Sequence, residues 1–428
     1  MSRRILLHVG SPKTGTTFLQ QVIWSQRALA REQGLLLPSD SFSDHYLASL
    51  DVRGLSHRPE HPARAVGMWQ RLAAEAADWP GDVLISHELF AAATDEQCKR
   101  AIVALGDSAE VHVVVTARDL VRQIPAEWQE HLKHRAVKGF SRFVDDIRTD
   151  TSGSSWFWRV QDPTGVVSRW GASLPASQVH VVTVPQPGAD PTLLWTRFAT
   201  LVGLDPAAFK LTGFRSNPSL HVEQAELLRR VNAALGDKLP IPGPYPAVVK
   251  NVFAHRVLAD REGRTLRMVG DDRDFAVRRS HELVATLASS DCDVVGDLQE
   301  LIPPDLHATG NEAYEVAPPS DEILLAESVA GLVGLLDEYW RQHKELSTTK
   351  AERRELRYGL QEARRQLEEA AGARDRLLHD MQHRPLRHLA IGLSTRWSWL
   401  MALRRAYRSA RDSVRRRAHR QPDRSGES

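Results

Sequence analysis

Cysteine is nearly absent: Cys98 and Cys292 are the only two among 428 residues. That count offers no disulfide framework and no metal-ligand spacing, which points to a reducing compartment and a metal-free mechanism. Lysine is missing from Arg384 onward, where 12 arginines stand against 3 acidic residues. No uncharged stretch in that segment reaches the roughly 18 residues that a membrane-crossing helix needs. At the other end, the apolar run Ile5 to Gly10 behind Ser2-Arg3-Arg4 is too short for a secretory signal, so the chain reads as cytoplasmic. Strand-end aspartates, which hold Mg²⁺ in phosphoryl-transfer sites, are scarce as well, with Asp119 alone near the end of a principal β run.

What is present is an α/β rhythm. At 42% hydrophobic and 26% charged residues, the chain is long enough for one large α/β domain and an appendage. Strand signals at Ile5 to Val9, Asp82 to Phe90, Val111 to Ala117 and Val179 to Val184 alternate with amphipathic segments, including Leu193 to Val202 and Val222 to Leu235, which predicts one parallel sheet flanked by helices.

The first strand runs into His8-Val9-Gly10-Ser11-Pro12-Lys13-Thr14-Gly15-Thr16-Thr17 and a helix signal from Phe18 to Trp24. Gly10 and Gly15 let backbone N–H groups converge on an anion at the helix start. Lys13 adds a cation, and Thr14, Thr16 and Thr17 add neutral donors, so the segment suits a phosphate or sulfate group. In a nucleoside-triphosphate loop the lysine follows the last glycine. Here it precedes Gly15.

Pro-Lys-Thr-Gly-Thr-Thr after a first strand resembles the 5′-phosphosulfate loop of sulfotransferases that use 3′-phosphoadenosine-5′-phosphosulfate, in their bacterial carbohydrate-modifying branch. The resemblance reaches to about Pro304 and implies a P-loop-like α/β fold. It also implies that Lys13 stabilises the leaving phosphate, that Gly10, Thr14, Gly15, Thr16 and Thr17 cradle the phosphosulfate, and that Arg118, after the strand Val111 to Ala117, grips the 3′-phosphate. The family places a serine eight residues beyond that arginine. This chain has Ala126 there, and Arg122 or Gln123, one helical turn past Arg118, stand as substitutes.

Sulfuryl transfer to an alcohol also needs a base. Ser86-His87-Glu88 closes a buried strand at the sheet edge that faces the ligand crevice in open α/β folds, and it resembles the Ser-x-Glu stretch of bacterial relatives. Glu88 is the expected base and His87 the runner-up, with His8 and His131 weaker candidates. Glu88 reads alternatively as a helix cap. Lys13 and Glu88 should flank one crevice, because in-line displacement sets the attacking and leaving oxygens on opposite sides of sulfur.

Phe214 to Leu220 resembles a later Asn-x-Ser element, with Arg215, Asn217 and Ser219 in reach of phosphates, though Ser219 reads equally as a helix N-cap. Trp156-Phe157-Trp158 with Trp170 suits either core packing or stacking on sugars. The proline-rich start of segment 240 to 260 predicts an acceptor-facing loop.

Four regions result: a sulfotransferase-like α/β domain over 1–318, a connecting helix over 319–345, a coiled-coil helix over 346–383, and a basic amphipathic tail over 384–428 with a disordered end. Leu356, Leu360, Ala363, Leu367, Ala370, Leu377 and Met381 keep a three-four spacing interrupted by Arg374, enough for a parallel or antiparallel homodimer. The tail nets +9 within an overall +2, which leaves −7 on residues 1–383. Arginines between Leu389, Leu393, Trp397, Leu400 and Leu403 fit a helix lying on an anionic membrane surface, placing the protein peripherally at the inner face of the cell membrane. An arm for an acidic glycan and a solvated tail compete with that reading; nucleic acid is not an expected partner.

The expected activity is transfer of a sulfuryl group from 3′-phosphoadenosine-5′-phosphosulfate to a hydroxyl of a carbohydrate or glycolipid, without a metal. A kinase-like P-loop protein and a degenerate membrane-associated scaffold are the rivals.

Overall fold

β-Branched runs dictate the centre of the molecule. In the computed structural model, which describes residues 3–106, 109–150, 152–213, 219–304, 318–383 and 398–418, these runs become a six-stranded, all-parallel sheet in the order β2-β3-β1-β4-β5-β6. The strands are β1 (Arg4–Gly10), β2 (Leu35–Leu36), β3 (Asp82–Ser86), β4 (Glu110–Ala117), β5 (Val179–Thr183) and β6 (Asp293–Val295). Strand β1 pairs with β3 on one side, Ile5 opposite Val83, and with β4 on the other, Ile5 opposite Val111. The chain leaves β1 for one edge, returns through β3, then crosses to β4 and the opposite edge. This reversal of strand order puts a topological switch point at the C-terminal end of β1, where open parallel sheets bind ligands.

Helices cover both faces because each strand is apolar on both. One core joins β1, β3 and β4 to Trp69, Phe90 and Trp170; another packs Leu6, Leu84 and Val182 against Leu19, Ile23, Trp195 and Phe198. A third core lies among helices alone and holds Trp128, Phe143, Phe157, Trp158, Tyr245 and Phe253. It fixes the helix Leu120–Lys133, which follows β4, against the helices Val222–Leu235 and Pro246–Leu258. The Tyr245 hydroxyl donates to Asn232 Oδ1 (2.6 Å), and the Asn232 amide donates to the Leu132 carbonyl (2.8 Å), so the end of the first helix is tied to both others.

The structure departs from the sequence expectations in three places. Strand β3 stops at Ser86, and Glu88–Ala92 forms a 3₁₀ turn, because the His87 side chain accepts from Leu89 N–H and starts the turn. Segment 246–258 is helical with π-type, i to i+5 bonding rather than a loop. Beyond Pro319 a single helix runs from Asp321 to His383 without a break at 345, and a further helix spans Ser398–Ala418. Residues 384–397 and 419–428, including much of the expected amphipathic face and the expected disordered end, lie outside the described residues. Among the described residues, no helix is long and apolar enough to cross a membrane.

Candidate functional site

Gly10 turns the chain out of β1 at φ +107°, and a Cβ there would fall 2.9 Å from both Cα and the carbonyl oxygen of Glu88. Only glycine lets the loop lie against the turn that follows β3. The loop is then fastened to β4: Ser11 N–H donates to the Thr116 carbonyl (2.9 Å), Thr14 Oγ1 meets Thr116 Oγ1, and Arg118 Nη1 donates to the Lys13 carbonyl (3.2 Å). Lys13 itself sits in the left-handed region at φ 64°, at a strain of about 1–3 kcal/mol that these anchors hold in place. Gly15 (φ 87°) is the N-cap of the ten-residue helix Thr16–Ser25 and supplies no side-chain acceptor. The first N–H groups of that helix are left for an anion.

These groups open on one cavity of about 1020 Å³. Lys13, Gly15, Thr16, Thr17, Arg118, His87 and Glu88 all line it, and so do Ala126 and Ser219. Lys13 and Glu88 therefore do share a crevice, whereas Gly10 and Thr14 shape the loop from behind. Thr14 is buried, and its hydroxyl donates to the Ser11 carbonyl at 2.5 Å.

Glu88 is held in its charged form. Burial pushes its carboxyl up, but His87, its own backbone N–H, the Gln20 amide (3.2 Å from Oε2) and His8 together bring it below the usual carboxylate range. His87 is pushed down, chiefly by burial. Because its Nδ1 accepts from Leu89 N–H at 3.2 Å, the neutral ring carries its proton on Nε2 and is a donor there. His8 is fully buried between Ser86 Oγ (2.8 Å) and Thr116 Oγ1 (3.4 Å) and lowered to about 4. Beside it, His45 is also lowered to about 4 by burial; its Nδ1 accepts from Ser86 N–H. His131 lies 3.4 Å from Glu127 on the cavity wall.

Arg118 is pushed down to about 10, first by burial and then by Arg122, and its buried Nε has no hydrogen-bond partner. Such an orphaned donor beside the loop is what an incoming anion would satisfy. The two proposed substitutes for the family serine are placed elsewhere. Arg122 pairs with Asp119 and donates to the Pro185 carbonyl (2.8 Å), tying its helix to the loop after β5. Gln123 is buried, donates to the Pro12 carbonyl (2.5 Å) and to Gln161, and does not line the cavity. It supports the loop from outside.

Ser219 faces the cavity and is not the helix N-cap, a position taken by His221. Arg215 and Asn217 lie outside the described residues. The tryptophan group divides: Trp156 lines the cavity, while Phe157, Trp158 and Trp170 are buried in cores.

Sequence reasoning missed a charged cluster in the lining. Lys250 Nζ donates to Glu130 Oε1 (2.7 Å), and Glu130 Oε2 pairs with Lys13, so one carboxylate bridges two lysines. His134 Nε2 stands 3.1 Å from the same Oε1. Although burial raises it, Glu130 is held well below the usual range by His134, Lys13 and Lys250. Helical spacing could have pointed to Glu130, four residues past Ala126; nothing local marks Lys250. No protein-family model, curated protein or solved structure matches the chain.

Proposed function

We propose that the chain transfers a sulfuryl group from 3′-phosphoadenosine-5′-phosphosulfate to a hydroxyl of a carbohydrate or glycolipid, on a P-loop-like fold. The observation that carries the reading is the meeting, in one cavity, of a lysine-bearing loop on an uncapped helix N-terminus, a buried arginine with an orphaned donor, and a charged, desolvated glutamate. The acceptor oxygen attacks sulfur as its proton passes to the Glu88 carboxylate, and the S–O bond to the 5′-phosphate breaks. Negative charge then grows on the departing phosphate oxygen, which Lys13 and the helix N–H groups stabilise. Glu88 is favoured over His87 because the one basic lone pair of the neutral His87 ring, on Nδ1, is already taken by Leu89 N–H.

The phosphoryl-transfer rival needs a strand-end aspartate for Mg²⁺. Asp119, the nearest one, is buried, caps its helix through Arg122 N–H and pairs with the Arg122 guanidinium, which supports the sulfuryl reading. Calorimetry with 3′-phosphoadenosine-5′-phosphate against ATP and Mg²⁺ tests the choice, with binding of the former expected. Binding of ATP and Mg²⁺ alone would end the assignment. Lys13→Ala should lower sulfation of an acceptor, followed by mass spectrometry of cell extracts, by about 10²–10³-fold; unchanged sulfation would leave only the scaffold reading.

A homodimer is supported by the helix Asp321–His383, where exposed Tyr339, Leu346, Leu360, Leu367 and Met381 stand on a seven-residue spacing that Arg353 and Arg374 interrupt. In a parallel pair Glu345 and Glu352 face Lys350 and Arg357 of the second copy, whereas an antiparallel pair sets like charges together. Trp399, Leu403 and Tyr407, exposed among arginines on the helix Ser398–Ala418, support a role at an anionic membrane surface.

A further inference from the structure

One part of the cavity lining concentrates ammonium groups. Lys13 comes from the loop, Lys250 from the helix Pro246–Leu258, and Lys133 from the end of the helix that follows β4; all three line the cavity. Lys13 and Lys250 share the single carboxylate of Glu130, and their side chains are about four-fifths buried, at 21% and 23% exposure. Lys133 is buried more deeply and is pushed down to about 8, first by burial and next by the charge of Lys13, so the lysines feel one another. Two ammonium groups on one carboxylate leave a positive charge that favours an added anion.

Glu130 lies one helical turn beyond Ala126, on the same face of its helix. The cluster therefore adjoins the place where the wall carries a methyl group instead of a hydroxyl. Lys250 reaches it from a segment far along the chain, held there by the helical core around Tyr245 and Phe253.

We propose that Lys13, Lys133 and Lys250 enclose a second anion subsite, for a dianionic phosphate-class group of the bound ligand, and that Glu130 marks its centre and yields it when that group enters. The subsite rests on the reading of the cavity as a sulfuryl-transfer site. It is distinct from the N–H cradle of the loop, and it makes Lys13 common to both: leaving Glu130 frees its ammonium group for the departing phosphate. Two sources supply the same chemistry, the second phosphate of the donor and an acidic group on the acceptor.

Calorimetric titration of the full chain with inorganic pyrophosphate, adenosine 5′-phosphate and 3′-phosphoadenosine-5′-phosphate tests the proposal. Lys250→Ala should weaken pyrophosphate about tenfold. Glu130→Gln should tighten it, because a competing negative charge is gone. Opposite signs from two neighbouring substitutions are not what loss of packing produces, and thermal melting of both variants checks their folding. A preference for the 3′-phosphorylated nucleotide that disappears in Lys250→Ala places the donor's second phosphate in the subsite. Equal binding of both nucleotides, with pyrophosphate still binding to nucleotide-saturated protein, gives the subsite to the acceptor. If both variants weaken pyrophosphate, or neither changes it, the subsite is wrong even where the nucleotides bind. If neither nucleotide binds while pyrophosphate responds as expected, the donor reading fails and the subsite stands.

Discussion

Two regions of the chain treat their apolar residues in opposite ways. Before the long helix begins at Asp321, the largest side chains are hidden, with Trp170, Trp195 and Tyr245 at 1% exposure or less. Along that helix, Leu325, Leu332, Leu336, Leu346, Leu356, Leu360 and Leu367 are at least half exposed. The region before the helix satisfies most of its hydrophobic surface internally and has enough order to shape a cavity. The long helix keeps its form through propensity and i to i+4 pairs such as Arg364–Glu368, and its apolar seam is a surface for something outside it.

The largest expected effect is at Trp170, which packs edge-on to Phe90 and donates to its carbonyl at 3.1 Å. Trp170→Ala should destabilise the region before the helix by about 3–5 kcal/mol in chemical denaturation, whereas Leu360→Ala should shift that transition by less than about 0.5 kcal/mol. Similar losses would erase the contrast between the two regions. Acid should separate them next. The rings of His8 and His45 take a proton near 6.5 when unfolded but only at about 4 when folded. Their contribution is complete above pH 6.5 and falls away toward pH 4, by about 3 kcal/mol per ring. Histidines 343, 379 and 383 of the long helix are exposed, so its circular dichroism should hold over that range. Stability that is flat from pH 7 to 4 would contradict the buried, neutral rings. The smallest effect concerns the seam. Arg357→Glu should weaken a parallel dimer by about 0.5 kcal/mol per ion pair in sedimentation equilibrium, and adding Glu352→Arg should restore it; stabilisation by the single change would indicate the antiparallel pair.

The sheet was legible because its strands are continuous β-branched runs: Val111 to Ala117 needs no tertiary context to be seen as buried. Helix Val222–Leu235 was equally plain from its periodicity. The proline cluster before Pro246 misdirected, since proline at a helix start reads locally as loop, and the helical core that orders Tyr245 to Leu258 draws on residues as far off as Leu120 and Trp128. Within the site, the loop and the strand ends could be picked out by spacing. Gln123 could not be assigned, because its amide is drawn to Pro12 and Gln161 by packing that spacing does not encode. Lys250 was invisible for a related reason: a lone lysine gains meaning only from the carboxylate it meets.

The missing side chain at Gly10 has a consequence for how this chain can change over time. Its α-carbon rests on the backbone of Glu88, so the loop and the acid share one boundary and have no slack between them. A substitution that shifts either must be answered at the other, and divergence at this site should proceed in pairs: variants that broaden the loop will survive only where the turn after Ser86 has moved aside.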